Sequence, residues 1–258
     1  QGNHGNLSGQ AATTTTIGKI GQALSFDGTD DYVSIGDVGD DTSTMTISTW
    51  INPATLHSAW IIGKDDEGSN RSFVFGITSS GEIEVYFKTA GGYDWSTSGS
   101  INYLSDEWAH IVAVYSNGVT SVYVNGQEST LSFSSNTASG LIANNSLSTD
   151  IGRRATGQYF NGYIDDTRIY NRALSAAEIL RIYHLGATTK LNTTLNRSGT
   201  ALESGLVGHW TMDGADMTPN VRDRSTSANH GNLVGQAATT TTLGKIGVKV
   251  WIFKKEHF

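Results

Sequence analysis

The chain has 258 residues, of which 37% are hydrophobic, and its formal net charge of −7 is spread without acidic blocks. This charge argues against nucleic acid as a partner and against charge-driven binding to an anionic membrane. The chain contains no cysteine, which excludes disulfides, thiolate metal sites and a cysteine nucleophile, and its apolar runs are too short to span a bilayer.

Short segments that alternate apolar and polar residues follow one another from Leu24 to Gly126, and most end in Gly, Asn or Asp. They are LSFDG, DYVSIG, TMTISTWIN, SAWIIGK, SFVFGI, EIEVYF, WAHIVAVY and TSVYVNG. Asn117-Gly118 and Asn125-Gly126 are hairpin signals, because both dipeptides accept the positive φ of a tight turn. The pattern predicts an all-β fold, an antiparallel two-sheet β-sandwich.

Two acidic segments of this pattern are candidate calcium ligands. Asp27, Asp30 and Asp31 lie in one tight turn, and Asp165 begins the last strand beside Asp166. Calcium takes six to eight oxygen ligands, which converging carboxylates and carbonyls supply. The alternatives are that the aspartates cap backbone amides, or that Asp165, on the core side, pairs with an arginine. The candidate arginines are Arg153 and Arg168.

Aromatic residues outside the core pattern are candidate ligand contacts. The clearest segment is Gly91 to Trp95, read as a loop, in which Tyr93, Asp94 and Trp95 stand between glycines and serines. An aromatic ring offers an apolar face at small entropic cost. Weaker candidates are Trp60, Arg71 and Tyr103. Trp50, Trp108, Trp210 and His110 lie in strand patterns and are predicted to pack in the core.

One helix follows the last strand. Ser175 and Glu178 form a capping box, which predicts a short helix through about His184 that Gly186 ends.

A long internal repeat divides the chain. HGNLSGQAATTTTIGKIG at 4 to 21 recurs as HGNLVGQAATTTTLGKIG at 230 to 247. The two copies begin 226 residues apart, at residues 4 and 230, which is the length of a whole domain. This predicts one domain at 1–186, a polar linker at 187–204 and the start of a second repeat at 205–247. The segment 248–258 diverges from the repeat. The first domain lacks its own copy of the opening strand, so we expect residues 205–212 to fill that position, in cis or as a strand donated to another copy.

Three blocks in order resemble the laminin-G-like, concanavalin A-like jelly rolls. They are GQALSFDGTDDYVSIG, DEWAHIVAVYSNGVTSVYVNG and FNGYIDDTRIYNRALSAAEI, and GLVGHWTMDG is similar to that family's first strand. The resemblance implies a jelly roll with a short C-terminal helix, in a secreted or cell-surface binding or adhesion module that often holds Ca²⁺. In related folds the last strand and the opening region share the ion, which adds Asp213 and Asp223 to Asp165, Asp27 and Asp31.

Three functions follow as expectations. The first is non-catalytic binding of a glycan or another surface ligand. The second is a structural subunit that self-assembles with other copies through strand 205–212. The third and least favoured is glycoside hydrolysis by Glu82 and Glu84, which share a strand face, but the E-x-D-x-x-E pattern of such enzymes is missing.

Overall fold

A computed structural model describes residues 7–8, 15–66, 70–98, 107–154, 157–187, 202, 204–212, 220–225, 227, 229 and 231–232. Strands dominate these residues, and the helix is α1 (Ala176–Ala187). The strands are β1 (Leu7–Ser8), β2 (Thr15–Ile17), β3 (Gln22–Asp27), β4 (Tyr32–Ser34), β5 (Thr44–Pro53), β6 (Ala59–Asp65), β7 (Arg71–Ile77), β8 (Ile83–Thr89), β9 (Gly92–Ser98), β10 (Ala109–Ser116), β11 (Val119–Val124), β12 (Gln127–Ser129), β13 (Leu131–Asn136), β14 (Asp150–Ile151), β15 (Asn161–Tyr170), β16 (Leu206–Trp210), β17 (Asn220–Val221) and β18 (Gly231–Asn232).

Within the described residues the strands form two antiparallel sheets and one small hairpin. Sheet 1 has the order β1-β4-β14-β6-β7-β8-β9-β13. Sheet 2 has the order β12-β11-β10-β5-β15-β3-β2, with β16 also paired to β15, and β17 pairs with β18. The predicted all-β sandwich is confirmed.

The main core lies between the two sheets, because alternate residues of each strand point inward. Phe73, Phe75 and Phe87 of sheet 1 meet Ile47, Ile111 and Ile164 of sheet 2 in one buried cluster. The two Asn-Gly signals form the predicted hairpin turns: Asn117 and Asn125 have φ of 48° and 50°. Those turns set the pairing of β10 with β11 and of β11 with β12.

Helix α1 covers the outer face of sheet 2, where a second apolar cluster forms. Ile179 and Ile182 of the helix pack with Val112 and Tyr170 of the sheet. The capping box is present, since Ser175 N–H donates to Glu178 Oε2 at 2.9 Å. Gly186 does not end the helix as expected. It lies inside the last turn, where a Cβ would meet the Trp50 indole at 2.6 Å, so the residue without a side chain lets the helix lie against that ring.

The edge of β15 is shared by two strands. Its first half pairs with β3, as in Ile164 with Leu24, and its second half pairs with β16, as in Arg168 with His209. Trp210 and Met212 are fully buried in the main core. Strand β16 therefore pairs with β15, and the residues around it contribute to the main core.

Candidate ligand-binding face

Aromatic residues gather on the outer face of sheet 1, which α1 does not cover. We call this surface the aromatic face. It consists of Trp60, Tyr86, Tyr93 and Trp95 together with Arg71, Glu84 and Arg154. Trp60, Val74 and Tyr86 form an apolar cluster separate from the main core. Strands β6, β7, β8 and β9 are neighbours in sheet 1 and place most of these residues side by side.

The β8–β9 hairpin builds the exposed part of the aromatic face. Its register places Tyr86 opposite Trp95 and Lys88 opposite Tyr93, so these four side chains share one face. The Tyr86 ring stacks on Tyr93 at 5.5 Å and meets Trp95 edge to face at 6.2 Å. Tyr93 and Trp95 are 40% and 41% exposed, whereas Tyr86 is buried beneath them. The hairpin therefore presents two supported rings to solvent.

Trp60 forms the floor at the other end of the face. Its indole lies across β7 at Gly76, where a Cβ would meet the ring at 2.7 Å, so the close approach requires glycine. The Trp60 Nε1–H donates to Gln158 Oε1 at 2.5 Å, and the Trp60 side chain is largely buried. Trp60 supports the face more than it offers contact area.

Charged groups are interleaved with the rings. The guanidinium carbon of Arg71 lies 4.5 Å from the Tyr86 centroid, and that of Arg154 lies 5.3 Å from the Trp60 centroid. Both arginines pair with the buried Asp65. Glu84 Oε1 accepts a hydrogen bond from Trp95 Nε1 at 2.6 Å. Burial raises the pKa of Glu84, and the hydrogen bond from Trp95 partly opposes that rise.

The structure sorts the predicted ligand contacts. Tyr93, Trp95, Trp60 and Arg71 share the aromatic face, although Gly92–Ser98 is a strand and not the expected loop. The prediction that Asp94 contacts a ligand is corrected. Asp94 points inward with no exposed area and accepts hydrogen bonds from Thr120 Oγ1 and Ala138 N. Tyr103 lies outside the described residues.

Three members of the aromatic face were not predicted as ligand contacts, namely Tyr86, Glu84 and Arg154. A signal existed for the first two: EIEVYFK alternates, and pairing it through Gly91-Gly92 with YDW puts Glu84 and Tyr86 beside Trp95. Arg154 reaches the face from an isolated bridge after β14, a placement that no local pattern announces.

The acidic turn brings together part of the predicted calcium set. Carboxylate oxygens of Asp27, Asp30 and Asp31 lie within 4.8 Å of one another. The turn also uses them internally, since Asp27 Oδ1 accepts Thr29 N–H at 2.7 Å and Asp31 Oδ2 accepts Asp27 N–H at 2.8 Å. Both the calcium prediction and the capping alternative are compatible with this geometry.

The other predicted calcium ligands lie elsewhere. Asn161 of β15 pairs with Asp27, and Asp165 lies four residues further along the same strand, about 13 Å from Asn161. The Oδ2 atom of Asp165 accepts a hydrogen bond from Ile20 N–H at 2.8 Å. Asp223 accepts N–H groups from His209, Ser225 and Asn229, so it caps its own turn. Asp213 lies outside the described residues. Among the described residues, Asp165 and Asp223 therefore do not join Asp27 and Asp31 around one ion.

The arginines proposed for Asp165 pair with other carboxylates. Arg153 contacts Asp150 at 2.8 Å, and Arg168 holds Asp166 through two hydrogen bonds of 2.7 and 3.1 Å. His209 of β16 also contacts Asp166. Despite burial, the guanidinium and the imidazole hold the pKa of Asp166 well below its usual range.

The tryptophans expected in the core divide three ways. Trp210 is in the main core, Trp50 is buried between sheet 2 and α1, and Trp108 is only half-buried near Tyr163. The expectation for Trp108 is therefore corrected. His110 is packed as predicted, and its Nε2 lies 2.9 Å from Ser48 Oγ.

The model of a known protein family matches residues 27–180 and is described as the concanavalin A-like lectin/glucanases superfamily, in its laminin-G form. A search of curated proteins gave no match. No helix among the described residues has the length and apolarity needed to cross a bilayer.

Solved structures share the fold at low identity. Domain 4 of AbnA, a GH43 extracellular arabinanase from Geobacillus stearothermophilus in complex with arabinotriose, has a TM-score of 0.53 and 20% identity, over 69% of this chain and 87% of that chain. A heptameric pentraxin from Limulus polyphemus has a TM-score of 0.51 and 17% identity, over 65% and 84%. The binding domain of Paraclostridial Mosquitocidal Protein 1 has a TM-score of 0.54 and 16% identity, over 69% and 47%.

Proposed function

The chain belongs to the concanavalin A-like lectin/glucanases superfamily, and on that premise we propose that it is a non-catalytic, extracellular glycan-binding module whose ligand lies on the aromatic face. The observation that carries this proposal is the pair of exposed rings, Tyr93 and Trp95, held on one rigid hairpin by Tyr86. Sugar rings have apolar C–H faces that stack on such side chains, and a strand holds them at low entropic cost. The arabinotriose complex of the similar arabinanase domain makes a glycan a reasonable ligand class.

A binding measurement with a matched variant tests this site. We expect the intact chain to bind a member of a glycan array, and Trp95→Ala to lose that binding by about tenfold or more, because one stacking ring is removed. Leu180→Ala is the control, since Leu180 is also 41% exposed but lies on α1. Equal binding by Trp95→Ala and the intact chain would remove the aromatic face from the proposal.

The absence of catalysis belongs to the same proposal. Glu82 Oε2 accepts a hydrogen bond from Ser80 Oγ at 3.0 Å within its own turn, while Glu84 is engaged by Trp95. Glycoside hydrolysis needs two carboxyl groups that flank the scissile bond. We expect no reducing ends to be released from any glycan that the chain binds, and release that is lost in Glu84→Gln would contradict the proposal.

We also propose that segment 205–212 is the first strand of the sandwich formed by the preceding residues. Its support is the β15–β16 pairing and the full burial of Trp210 and Met212. In a tandem array this arrangement would interlock consecutive repeats, which suits adhesion or a structural stalk. Light scattering against concentration distinguishes the routes: a constant mass near 27.6 kDa indicates closure in cis, and a rising mass indicates donation to another copy. Proteolysis of 205–212 in the native chain would contradict both.

Calcium stays a prediction, narrowed to the turn of Asp27, Asp30 and Asp31. If an ion binds there, adding Ca²⁺ raises the melting temperature and a chelator reverses the rise. Asp30→Asn should abolish the response, whereas Asp41→Asn, outside the turn, should keep it.

A further inference from the structure

Two arginines of the aromatic face share a single carboxylate. Arg71 Nε lies 3.0 Å from Asp65 Oδ2, and Arg154 Nε contacts the same oxygen. The Asp65 side chain is fully buried, whereas the two arginine side chains keep 17% and 16% of their area exposed. Two positive charges therefore meet one negative charge, and the surplus lies on the arginine side, toward solvent.

The arginines are held by aromatic rings. Arg71 lies over Tyr86 and Arg154 over Trp60, and contacts of this kind fix a planar guanidinium. Among the described residues, Asp65 is the carboxylate with which both guanidinium groups pair, and each arginine side chain keeps part of its area exposed, where another acceptor can reach it. Tyr86 lies between Arg71 and Trp95, 4.5 Å from the former's guanidinium carbon and 6.2 Å from the latter's ring centre. The donors and the stacking rings thus belong to one surface.

The other charged groups of this face lie on or beside β8. Lys88 lies opposite Tyr93 and adds a third cation to the face. Glu84 and Glu82 are the further carboxyl groups of this strand face. Burial raises the pKa of Glu84, and the Glu82 charge adds to that rise, while the Trp95 hydrogen bond and the Arg154 charge oppose it. The chain as a whole has a net charge of −7, so the paired arginines are a local concentration of cations on an acidic protein. Polyanions are not attracted by the chain in general and would bind only where the cations are concentrated.

We infer that the glycan held by the aromatic face is acidic, with a uronic acid carboxylate bound by Arg71 and Arg154 while a neighbouring ring stacks on Tyr93 and Trp95. This inference rests on the proposed function. Guanidinium groups bind carboxylates through paired, charge-assisted hydrogen bonds, which a neutral hydroxyl cannot reproduce. The stacking rings give affinity for a sugar, and the arginine pair selects the charged sugar.

Calorimetry with an oligogalacturonate and its methyl ester isolates the charge, because the two ligands differ only in esterification. The titrations use the full chain with a chelator present, so that calcium cannot bridge the carboxylates. We expect about tenfold tighter binding of the acid than of the ester, with a preference that falls as salt is added. Arg71→Gln and Arg154→Gln should bring the acid down to the affinity of the ester and leave the ester unchanged.

Two further variants separate charge from folding. Arg71→Lys keeps the charge and should retain part of the preference, while Arg181→Gln removes a charge from exposed α1 and should change nothing. Melting curves of all variants show whether the loss of an Asp65 partner has unfolded the face. A variant that melts early is replaced by the salt dependence of the intact chain as the deciding measurement.

The outcomes distinguish the two proposals. Equal affinity for acid and ester, or binding of neutral glycans alone through Trp95, overturns the acidic ligand and leaves the glycan-binding face. Binding that Trp95→Ala leaves unchanged for every glycan overturns the proposed function itself.

Discussion

The sandwich has two outer faces that use similar residues for different purposes. On sheet 2, Trp50 and His110 lie beneath α1, and the Trp50 ring stacks on Tyr183 of the helix at 5.7 Å. On sheet 1, Trp95 stands in the open and its ring is 41% exposed. Both tryptophans occupy outward positions of strands that are paired on both sides, β5 in sheet 2 and β9 in sheet 1, so pairing within the sheet does not set their roles.

The charged groups of the two sheets differ in how far they are buried. In sheet 2, Arg168 and Asp166 are buried and pair with each other, and His209 also contacts Asp166. On the aromatic face, Arg71 and Arg154 outnumber Asp65 and keep part of their area in solvent. A buried charge without a partner is costly, so a sealed face must pair each of its charges, whereas an open face can leave part of a basic group for a ligand.

Replacing the two tryptophans tests this contrast most strongly. Trp50→Ala should lower the free energy of unfolding by about 4 kcal/mol, because it leaves a cavity between sheet 2 and α1. Trp95→Ala should change it by less than about 0.5 kcal/mol, since the ring is exposed, while reducing glycan binding. Urea unfolding of both variants measures the difference. Similar losses of stability in the two variants would break the distinction between a sealed and an open face.

A smaller effect is expected from the buried ion pair. Arg168→Gln leaves Asp166 with His209 as its remaining charged partner among the described residues, and should cost about 3 kcal/mol of unfolding free energy. Arg71→Gln should cost less than about 1 kcal/mol, because Arg154 still neutralises Asp65 and the site is partly solvated. Chemical denaturation at pH 7 measures the unfolding free energy of both variants. A larger loss of unfolding free energy in Arg71→Gln than in Arg168→Gln would contradict the expected difference between the two faces.

His110 sharpens the contrast through pH. Burial lowers its pKa to about 3, with opposing effects of Asp166 and Arg168 on β15, whereas the unfolded chain titrates near 6.5. Because the folded state resists protonation, the stability from this group is complete above about pH 6.5 and is lost as pH falls toward 3. Between pH 7 and pH 5 the loss from His110 should be about 2 kcal/mol.

The His110→Gln variant isolates this group from the other titratable groups of the chain. Its unfolding free energy should fall by about 2 kcal/mol less than that of the intact chain between the two pH values. The same pH dependence in both proteins would show that His110 is not held neutral beneath the helix.

The hairpins were predictable because their inward residues are apolar and their turns carry Asn-Gly. Strand β9 was missed for a physical reason. Its inward positions are Asp94, Ser96 and Ser98, all buried, so the alternation that marks a strand is absent from its sequence. Asp94 is satisfied by Thr120 Oγ1 and Ala138 N, partners that only the folded sheet supplies. The division of the chain at 187–204 stays a prediction.

The candidate site was predictable in its residues more than in its place. Tyr93 and Trp95 stood out because they do not fit a core pattern, and their exposure agrees with that interpretation. The calcium ligands were predicted less well, because spacing along the chain does not show which carboxylates come together in the fold. Asp165 and Asp223 accept hydrogen bonds from backbone amides in different parts of the structure.

The smallest of these effects concerns how α1 is held over sheet 2. Ser175→Ala should lower the free energy of unfolding by about 1 kcal/mol, because Ser175 Oγ accepts Glu178 N–H at 3.4 Å at the helix start. Ser58→Ala, at an exposed serine away from any helix, should have no effect beyond about 0.5 kcal/mol. Because the loosened helix is the cover of Trp50 and not of Trp95, glycan binding should be unchanged in Ser175→Ala. Reduced binding in this variant, measured by the same titration, would mean that the two outer faces are coupled through the core.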